Sequence, residues 1–113
     1  MKVYSVSSEE KFVKRPGMTG TFVHGEGLTF SHWVLEKDAV LALHEHEHAQ
    51  ITYVVSGKLR LESGGREVTA ESGDFVVFAP GEPHSGLALE KTVALDAFSP
   101  AREDFKREMN WRE

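Results

Sequence analysis

The chain has 113 residues, of which 27% are charged and 40% hydrophobic. That length suits one domain with one modest core, and we expect a single domain over residues 1–113. The 18 acidic and 13 basic residues leave a net charge of −5, and because the basic residues are scattered, nucleic acid is not expected as a partner. The absence of cysteine excludes disulfides and thiolate metal sites.

The first residues run directly into charged sequence, with no apolar stretch long enough for a signal peptide or a membrane span. We therefore expect a cytoplasmic location and no membrane partner.

Short runs rich in Val, Leu, Phe and Thr follow one another from Met1 to Phe98, separated by Gly, Pro, Asp and Ser. This pattern predicts an all-β sandwich or barrel. Ser63-Gly64-Gly65 between two of the runs indicates a hairpin. The seven clearest predicted strands span residues 27–35, 40–43, 50–55, 58–62, 66–70, 75–78 and 92–98.

The C-terminal tail, residues 99–111, is the one helical candidate. Ser99 is a suitable cap, Pro100 fits the first helical position, and Phe105 and Met109 lie four residues apart on one face. We expect a short helix that packs on the barrel.

Four of the six histidines fall into two groups, residues 44–48 and residue 84, with predicted strands between them. Residues two apart in a strand point to the same face, so His44 and His46 would project together with Cβ atoms roughly 6 to 7 Å apart. Gln50 has the same parity, and His84 from another strand would complete a set of three imidazoles and one oxygen. Such a set suits Mn, Fe, Co, Ni or Zn.

Two alternatives to this ligand set stay open. Alternating His and Glu is also typical of a solvated turn, in which case His44 and His46 bind nothing. His48 shares the parity of Gln50 and lies nearer to the other histidines, so it is a rival third ligand. A turn or bulge before Gln50 would rotate His48 outward, and we expect it at the rim of the site.

Residues 43–57 and 73–84 resemble the two consecutive motifs of the cupin superfamily. The matching residues are His44-x-His46-x-x-x-Gln50 and Gly57 in the first, and Gly73-Asp74 and Pro80-Gly81-Glu82-Pro83-His84 in the second. The resemblance implies a single-domain cupin β-barrel, a double-stranded β-helix of the jelly-roll type. It also implies one divalent transition metal, held by His44, His46, Gln50 and His84.

One ligand departs from the usual cupin pattern, which has Glu where this chain has Gln50. A neutral amide makes the site one charge more positive, which favours an anionic substrate or an enolate on the metal. We therefore expect a small anionic molecule, such as a sugar acid, as the substrate.

The last predicted strand carries Asp96 and Phe98 on one face, with Arg102 just beyond it. Together with Gln50, this segment resembles the small cupins of pectin and alginate breakdown that linearise 4,5-unsaturated monouronates. The resemblance implies that Asp96 moves protons, Arg102 clamps a carboxylate with its planar fork, and Phe98 forms a wall of the site.

Each of these three residues also has a structural interpretation. Asp96 would be a buried carboxylate satisfied by backbone groups, Phe98 a core residue, and Arg102 a partner of Glu103 or Asp104. Thr52, two residues beyond Gln50, occupies a position where the uronate enzymes tend to carry a second polar amide. We assign it to substrate binding and expect a difference in the preferred sugar, or no action on uronates.

Two rival functions share the same ligands: a metal-dependent cupin dioxygenase and a non-catalytic cupin that binds a sugar or another small ligand. Small cupins of this resemblance commonly pair as homodimers through edge strands or swapped N-terminal strands. We therefore expect a homodimer that uses a strand at residues 1–6.

Overall fold

A computed structural model describes residues 1–109 and residue 111, and within these it contains ten strands and one helix. The elements are β1 (Phe12–Arg15), β2 (Met18–Gly25), β3 (Leu28–Leu35), β4 (Val40–His44), β5 (Ala49–Ser56), β6 (Lys58–Ser63), β7 (Arg66–Glu71), β8 (Phe75–Phe78), β9 (His84–Ala88), β10 (Thr92–Ser99) and α1 (Glu103–Glu108).

The strands form two antiparallel sheets that face each other. The six-stranded sheet has the order β1-β2-β3-β10-β5-β8, and the four-stranded sheet has the order β4-β9-β6-β7. The chain crosses between the sheets after β3, β4, β5, β7, β8 and β9, which is the two-layer jelly-roll arrangement of a small barrel. The predicted all-β barrel with a short C-terminal helix is confirmed.

The core lies between the two sheets because side chains alternate along each strand. In β5 and β10 the even-numbered residues are largely turned inward, while the odd-numbered ones face outward. The core combines aliphatic and aromatic side chains: Met18, Phe22, Trp33, Leu35, Ala39, Val54, Leu59, Leu61, Ala70, Phe78 and Ala88. Functional groups on the inner face therefore lie in a surrounding of low polarity.

All seven predicted strands are present, to within one residue at either end. The prediction missed β1, β2 and β9. In β2, Gly20 weakens the strand signal, yet glycine is required because an added Cβ would lie 2.9 Å from the Trp33 ring. In β9, Gly86 likewise weakens the strand signal, and an added Cβ at this position would lie 3.0 Å from the Leu61 side chain.

The predicted strand at residues 1–6 is wrong. These residues form no strand and lead into a turn in which the backbone N–H groups of Ser8 and Glu9 donate to the Ser5 carbonyl. A local turn therefore uses the Ser5 carbonyl, which would otherwise be free to pair at a sheet edge.

The helix is shorter than predicted. Ser99 is the last residue of β10 rather than a cap, and the chain bends at Pro100, before the helix begins at Glu103. The backbone N–H of Arg102 donates to Thr29 Oγ1 at 2.7 Å, so the chain is anchored to β3 before the helix begins. Phe105 and Met109 pack against the core as predicted; residue 110 of the predicted tail lies outside the described residues.

Within the described residues, no helix has the length and apolar character needed to cross a membrane.

Candidate metal centre and its cavity

Three histidines converge at one end of the barrel. His44 ends β4, His84 begins β9 directly opposite it, and His46 lies in the connection between β4 and β5. One ring nitrogen from each lies within 4.8 Å of the other two. His44, His46 and Gln50 come together as predicted, but the predicted cause, parity along one strand, is wrong, because the chain leaves β4 after His44 and crosses to the other sheet.

Backbone carbonyls orient all three rings. Nδ1 of His44 lies 2.7 Å from the Ala42 oxygen, Nδ1 of His46 lies 3.0 Å from the His48 oxygen, and Nδ1 of His84 lies 2.8 Å from the Glu82 oxygen. A carbonyl oxygen can only accept, so each Nδ1 carries the proton and each Nε2 presents a lone pair. This is the arrangement that usually supports metal-binding histidines.

Gln50 adds an oxygen to this group. Its Nε2 donates to Thr52 Oγ1 at 2.9 Å, which turns Oε1 toward His46 Nε2, also at 2.9 Å. With Nδ1 protonated, a neutral His46 and the amide oxygen face each other as two acceptors. Two acceptors at this distance are favourable when a cation lies between them, so the contact fits a shared metal ion.

His84 supplies a second test of the same fit. The residue is 3% exposed, and its Nε2 is buried without a hydrogen-bond partner among the described residues. A buried nitrogen left without a partner is costly, and binding a metal ion would remove that cost. Three imidazoles and one amide oxygen are a donor set that suits divalent ions of the first transition series.

Two of these histidines have lowered pKa values. Burial lowers the pKa of His44, and the charges of His84, Lys14 and Arg102 lower it further, against the backbone hydrogen bond to Ala42. Burial and the Arg102 charge also lower the pKa of His46, against its contact with Gln50. Metal binding requires neutral imidazole, so both shifts favour it at neutral pH.

His48 does not belong to the cluster of convergent nitrogens. The turn expected before Gln50 is present, but it does not rotate His48 outward: the ring is buried, at 8% exposure. Its carbonyl oxygen accepts from His46 Nδ1. His48 thus orients a neighbouring ring through its backbone.

Asp96 lies next to Gln50 on the adjacent strand. Its Oδ1 accepts from Thr52 Oγ1 at 2.6 Å and, at a longer 3.4 Å, from Gln50 Nε2. Burial raises the pKa of Asp96, although these hydrogen bonds oppose the shift. Thr52 is therefore occupied on both sides, which differs from the substrate contact predicted for it.

Arg102 and Phe98 line the same cavity as Asp96. The Arg102 guanidinium carbon lies 4.0 Å from the centre of the Phe105 ring and 4.8 Å from that of Phe98. Its Nε and Nη2 donate to the two carboxylate oxygens of Asp104 at 3.0 and 2.7 Å. The Arg102 guanidinium was predicted to clamp a substrate carboxylate, but two of its nitrogens bind Asp104 instead. Its Nη1 side remains for another anion.

A cavity of about 90 Å³ connects most of these groups. Its polar lining includes His44, Gln50, Thr52, His84, Asp96 and Arg102. His46 lines an adjoining open groove. Lys14 and Arg15 of β1 also line the cavity, and the sequence offered no sign of them because β1 itself was missed.

The family described as Cupin domain matches residues 31–97, more than half of the chain. The chain belongs to the cupin family. This cupin is 35% identical over 71 residues to the pectin degradation protein KdgF of Dickeya dadantii (strain 3937). That match covers 61% of this chain and 64% of the relative, which is less than two thirds of its length.

Two solved structures resemble this cupin over most of their length. KdgF from Halomonas sp. superposes with a TM-score of 0.86 at 29% identity, covering 93% of this chain and 98% of that one. An RmlC-like cupin from Shewanella frigidimarina NCIMB 400 superposes with a TM-score of 0.84 at 26% identity, covering 90% and 93%. The predicted resemblance to the cupins of pectin breakdown is confirmed.

Proposed function

We propose that this cupin opens the ring of 4,5-unsaturated uronates and tautomerises them to open-chain keto acids, with one divalent transition metal held by His44, His46, Gln50 and His84. The observation that carries the proposal is the hydrogen-bonded chain from the metal ligand Gln50 through Thr52 to Asp96 inside one cavity. The likeness to KdgF, which is named for pectin degradation, supports the same substrate class.

The reaction is an isomerisation, so it needs no oxidant and no second substrate. Loss of the proton on the C1 hydroxyl turns C1 into an aldehyde, and the bond between C1 and the ring oxygen breaks. Its electron pair stays on that oxygen and leaves an enolate across C4 and C5. A proton added at C4 then gives the C5 ketone. When bound, a divalent ion would supply positive charge that stabilises the enolate.

Asp96 is the proposed proton carrier. A carboxylate that removes the proton of the C1 hydroxyl and returns a proton at C4 leaves the protein unchanged, which matches the balance of the reaction. Burial raises the pKa of Asp96 above its ordinary value, which makes the carboxylate a stronger proton acceptor. The hydrogen bond from Thr52 to Oδ1 orients the carboxylate inside the cavity.

The substrate carboxylate needs cationic side chains that are not already paired with a carboxylate of the protein. Arg102 directs Nε and Nη2 at Asp104, so we assign only its Nη1 side to the substrate. Lys14 and Arg15 line the same cavity and form no ion pair among those of the described residues. We propose that the carboxylate lies between Arg102 and Lys14, with Phe98 against the sugar ring.

The size of the cavity favours a small substrate. A volume of about 90 Å³ is well below the roughly 300–1,000 Å³ of sites that take drug-sized ligands. A monosaccharide acid would fill the cavity and reach its mouth, whereas a polysaccharide chain would not enter. The metal identity, the preferred uronate, a homodimer and a cytoplasmic location stay predictions from the sequence.

The test is an anaerobic assay of the metal-loaded protein with 4,5-unsaturated galacturonate, following loss of the conjugated alkene absorbance. We expect acceleration over the spontaneous rate, loss of activity with a chelator, and a fall of about 10²- to 10⁴-fold in Asp96→Asn. Glu90→Gln, an exposed acid-to-amide change, is the matched control and should retain full activity.

Two results would overturn the proposal. A wild-type rate equal to the spontaneous one, with metal bound, would leave binding without turnover and favour the non-catalytic cupin. Activity that appears only with iron or copper and consumes oxygen would favour the dioxygenase.

A further inference from the structure

The loop between β8 and β9, residues 79–83, leads directly to His84 and carries a carboxylate that the proposed function does not use. Glu82 Oε1 accepts from the Ala79 backbone N–H at 2.9 Å. The Glu82 backbone N–H in turn donates to the Ala79 carbonyl oxygen at 3.1 Å. The backbone and the side chain of Glu82 therefore close the same turn, at the point where the chain passes from the six-stranded to the four-stranded sheet.

The other carboxylate oxygen of Glu82 reaches a second element. Glu82 Oε2 lies 2.7 Å from Ser63 Oγ at the end of β6, and the same Oγ lies 2.6 Å from the Pro83 carbonyl oxygen. The hydroxyl has one hydrogen, so the two acceptors share it. The carboxylate thus connects the loop to the hairpin of β6 and β7. We call its bonds to Ala79 and Ser63 the Glu82 clamp.

Backbone groups of the same loop contact two of the proposed metal ligands. The Glu82 carbonyl oxygen accepts from His84 Nδ1 at 2.8 Å. The Gly81 backbone N–H donates to the His46 carbonyl oxygen, also at 2.8 Å. His84 begins β9, whereas His46 lies in the connection between β4 and β5. One short loop therefore orients the ring of one ligand and holds the backbone of the other.

Burial does little to hold this loop in place. Four of its five residues are exposed, namely Ala79, Pro80, Gly81 and Pro83, so their side chains gain little from the hydrophobic effect. The two prolines also have no backbone N–H to donate. The position of the loop is therefore set mainly by hydrogen bonds, and the Glu82 clamp supplies two of them from one side chain.

We propose that Glu82 is a positioning residue of the metal centre. Its carboxylate holds the loop so that the Glu82 carbonyl keeps the proton of His84 on Nδ1 and leaves Nε2 free for the ion. The inference rests on the metal centre of the proposed function, not on the reaction. The Glu82 side chain bonds to Ala79 and Ser63 and lies outside the lining of the cavity. It therefore acts through His84 and His46, and not on the substrate.

The first test is the metal dissociation constant of the full chain, measured for Zn²⁺ and Co²⁺ by competition with a chromophoric chelator. We expect Glu82→Ala to bind each ion about 10- to 100-fold more weakly, the usual effect of losing a group that orients a ligand. Glu82→Gln should restore most of the affinity, because its amide oxygen still accepts from Ala79 and its NH₂ group donates to Ser63. Glu62→Ala is the matched control, an exposed position on β6 next to Ser63, and should bind as wild type does.

The second test needs no metal. Long-range ¹H–¹⁵N spectra of the metal-free chain at about pH 8, where imidazole is neutral, report which nitrogen of His84 carries the proton. We expect Nδ1 in wild type, Glu82→Gln and Glu62→Ala, and a mixture of both tautomers in Glu82→Ala. A role in stability alone would lower the unfolding midpoint of Glu82→Ala and leave this proton in place. Far-UV circular dichroism verifies that each variant is folded.

Three results would overturn the inference: a folded Glu82→Ala that binds metal as tightly as Glu62→Ala, one that keeps the His84 proton wholly on Nδ1, or a Glu82→Gln as weak as Glu82→Ala. A wild type that binds no metal would instead refute the metal centre of the proposed function. The His84 proton would then still decide whether the Glu82 clamp orients this ring.

Discussion

The ion pair between Arg102 and Asp104 links a nearly buried charge to the stability of the fold. The side chain is 10% exposed, and its charge is balanced by Asp104 and by two aromatic rings. Partial burial alone would raise the pKa of Asp104, but the hydrogen bonds and charge of Arg102 outweigh it and lower this pKa below the ordinary 3.8. The pair therefore stabilises the folded state while Asp104 is ionised.

Replacing Asp104 by Asn should destabilise the protein in a pH-dependent way. Because the folded-state pKa is depressed, the contribution of the carboxylate is complete above pH 3.8 and is lost as the pH falls through the folded-state value. We expect Asp104→Asn to lower the free energy of unfolding by about 1 kcal/mol at pH 7, after allowing for solvent screening of a half-exposed carboxylate. Urea unfolding of both proteins between neutral and acidic pH measures this difference.

Glu103→Gln is the control for this experiment, because the Glu103 side chain is 66% exposed and pairs with Lys106 at 3.4 Å near the surface. It should change stability little at any pH. Equal stability of wild type and Asp104→Asn at pH 7, or a difference that does not shrink in acid, would contradict the assigned role of Asp104.

At the scale of elements, two turn glycines differ in how well they would tolerate a side chain: Gly57 between β5 and β6, and Gly73 between β7 and β8. Gly57 has a φ of +94°, and a Cβ there would overlap the Lys91 carbonyl oxygen and lie 2.5 Å from Thr92 Oγ1. Gly73 before β8 has a similar φ of +92°, but nothing lies within 4 Å of its Cβ position. The two positions share a left-handed backbone conformation, and they differ in the free space around the Cβ position.

Alanine at these two positions should therefore separate the cost of a left-handed backbone from the cost of steric overlap by the Cβ atom. We expect Gly73→Ala to lower the free energy of unfolding by about 1–2 kcal/mol, the usual cost of a left-handed conformation. Gly57→Ala should cost about 1–3 kcal/mol more, because buried atoms around Thr92 must shift. Chemical denaturation of the two variants measures both values, and equal losses would show that the turn at Gly57 relaxes freely.

At the scale of the whole molecule, the candidate metal centre joins the two sheets. His44 and His84 belong to the four-stranded sheet and Gln50 to the six-stranded one. An ion held by all of them would link the sheets at one end of the barrel. Metal binding should then stabilise the entire fold, because the unfolded chain does not keep these groups together.

Adding a divalent transition metal to the metal-free protein should raise the melting midpoint. At a free metal concentration 100 times the dissociation constant the gain is about 2.7 kcal/mol, or roughly 10 °C for a domain of this size. His84→Ala should lose most of this shift. His32→Ala should retain the metal-induced shift, because His32 faces outward on β3, away from the candidate metal centre. A shift that is the same in both variants would exclude His84 from the ligands.

Local sequence patterns were enough to predict seven strands, the hairpin at Ser63-Gly64-Gly65 and the class of fold. These features depend on residues close together in the chain, where alternation of apolar side chains and turn glycines acts directly. The motif resemblance likewise named His44, His46, Gln50 and His84, and it identified the family that residues 31–97 confirm.

The tertiary structure alone decided how those residues meet. The crossing of the chain between the sheets, not strand parity, brings His46 to His44. Pairing of β5 with β10 sets Thr52 opposite Asp96 and makes it a link to Gln50. The Arg102 guanidinium donates two hydrogen bonds to Asp104, and Lys14 lines the cavity from β1, an edge strand that was not predicted. These contacts join residues far apart in the chain, and a local pattern carries no information about the packing that brings such residues together.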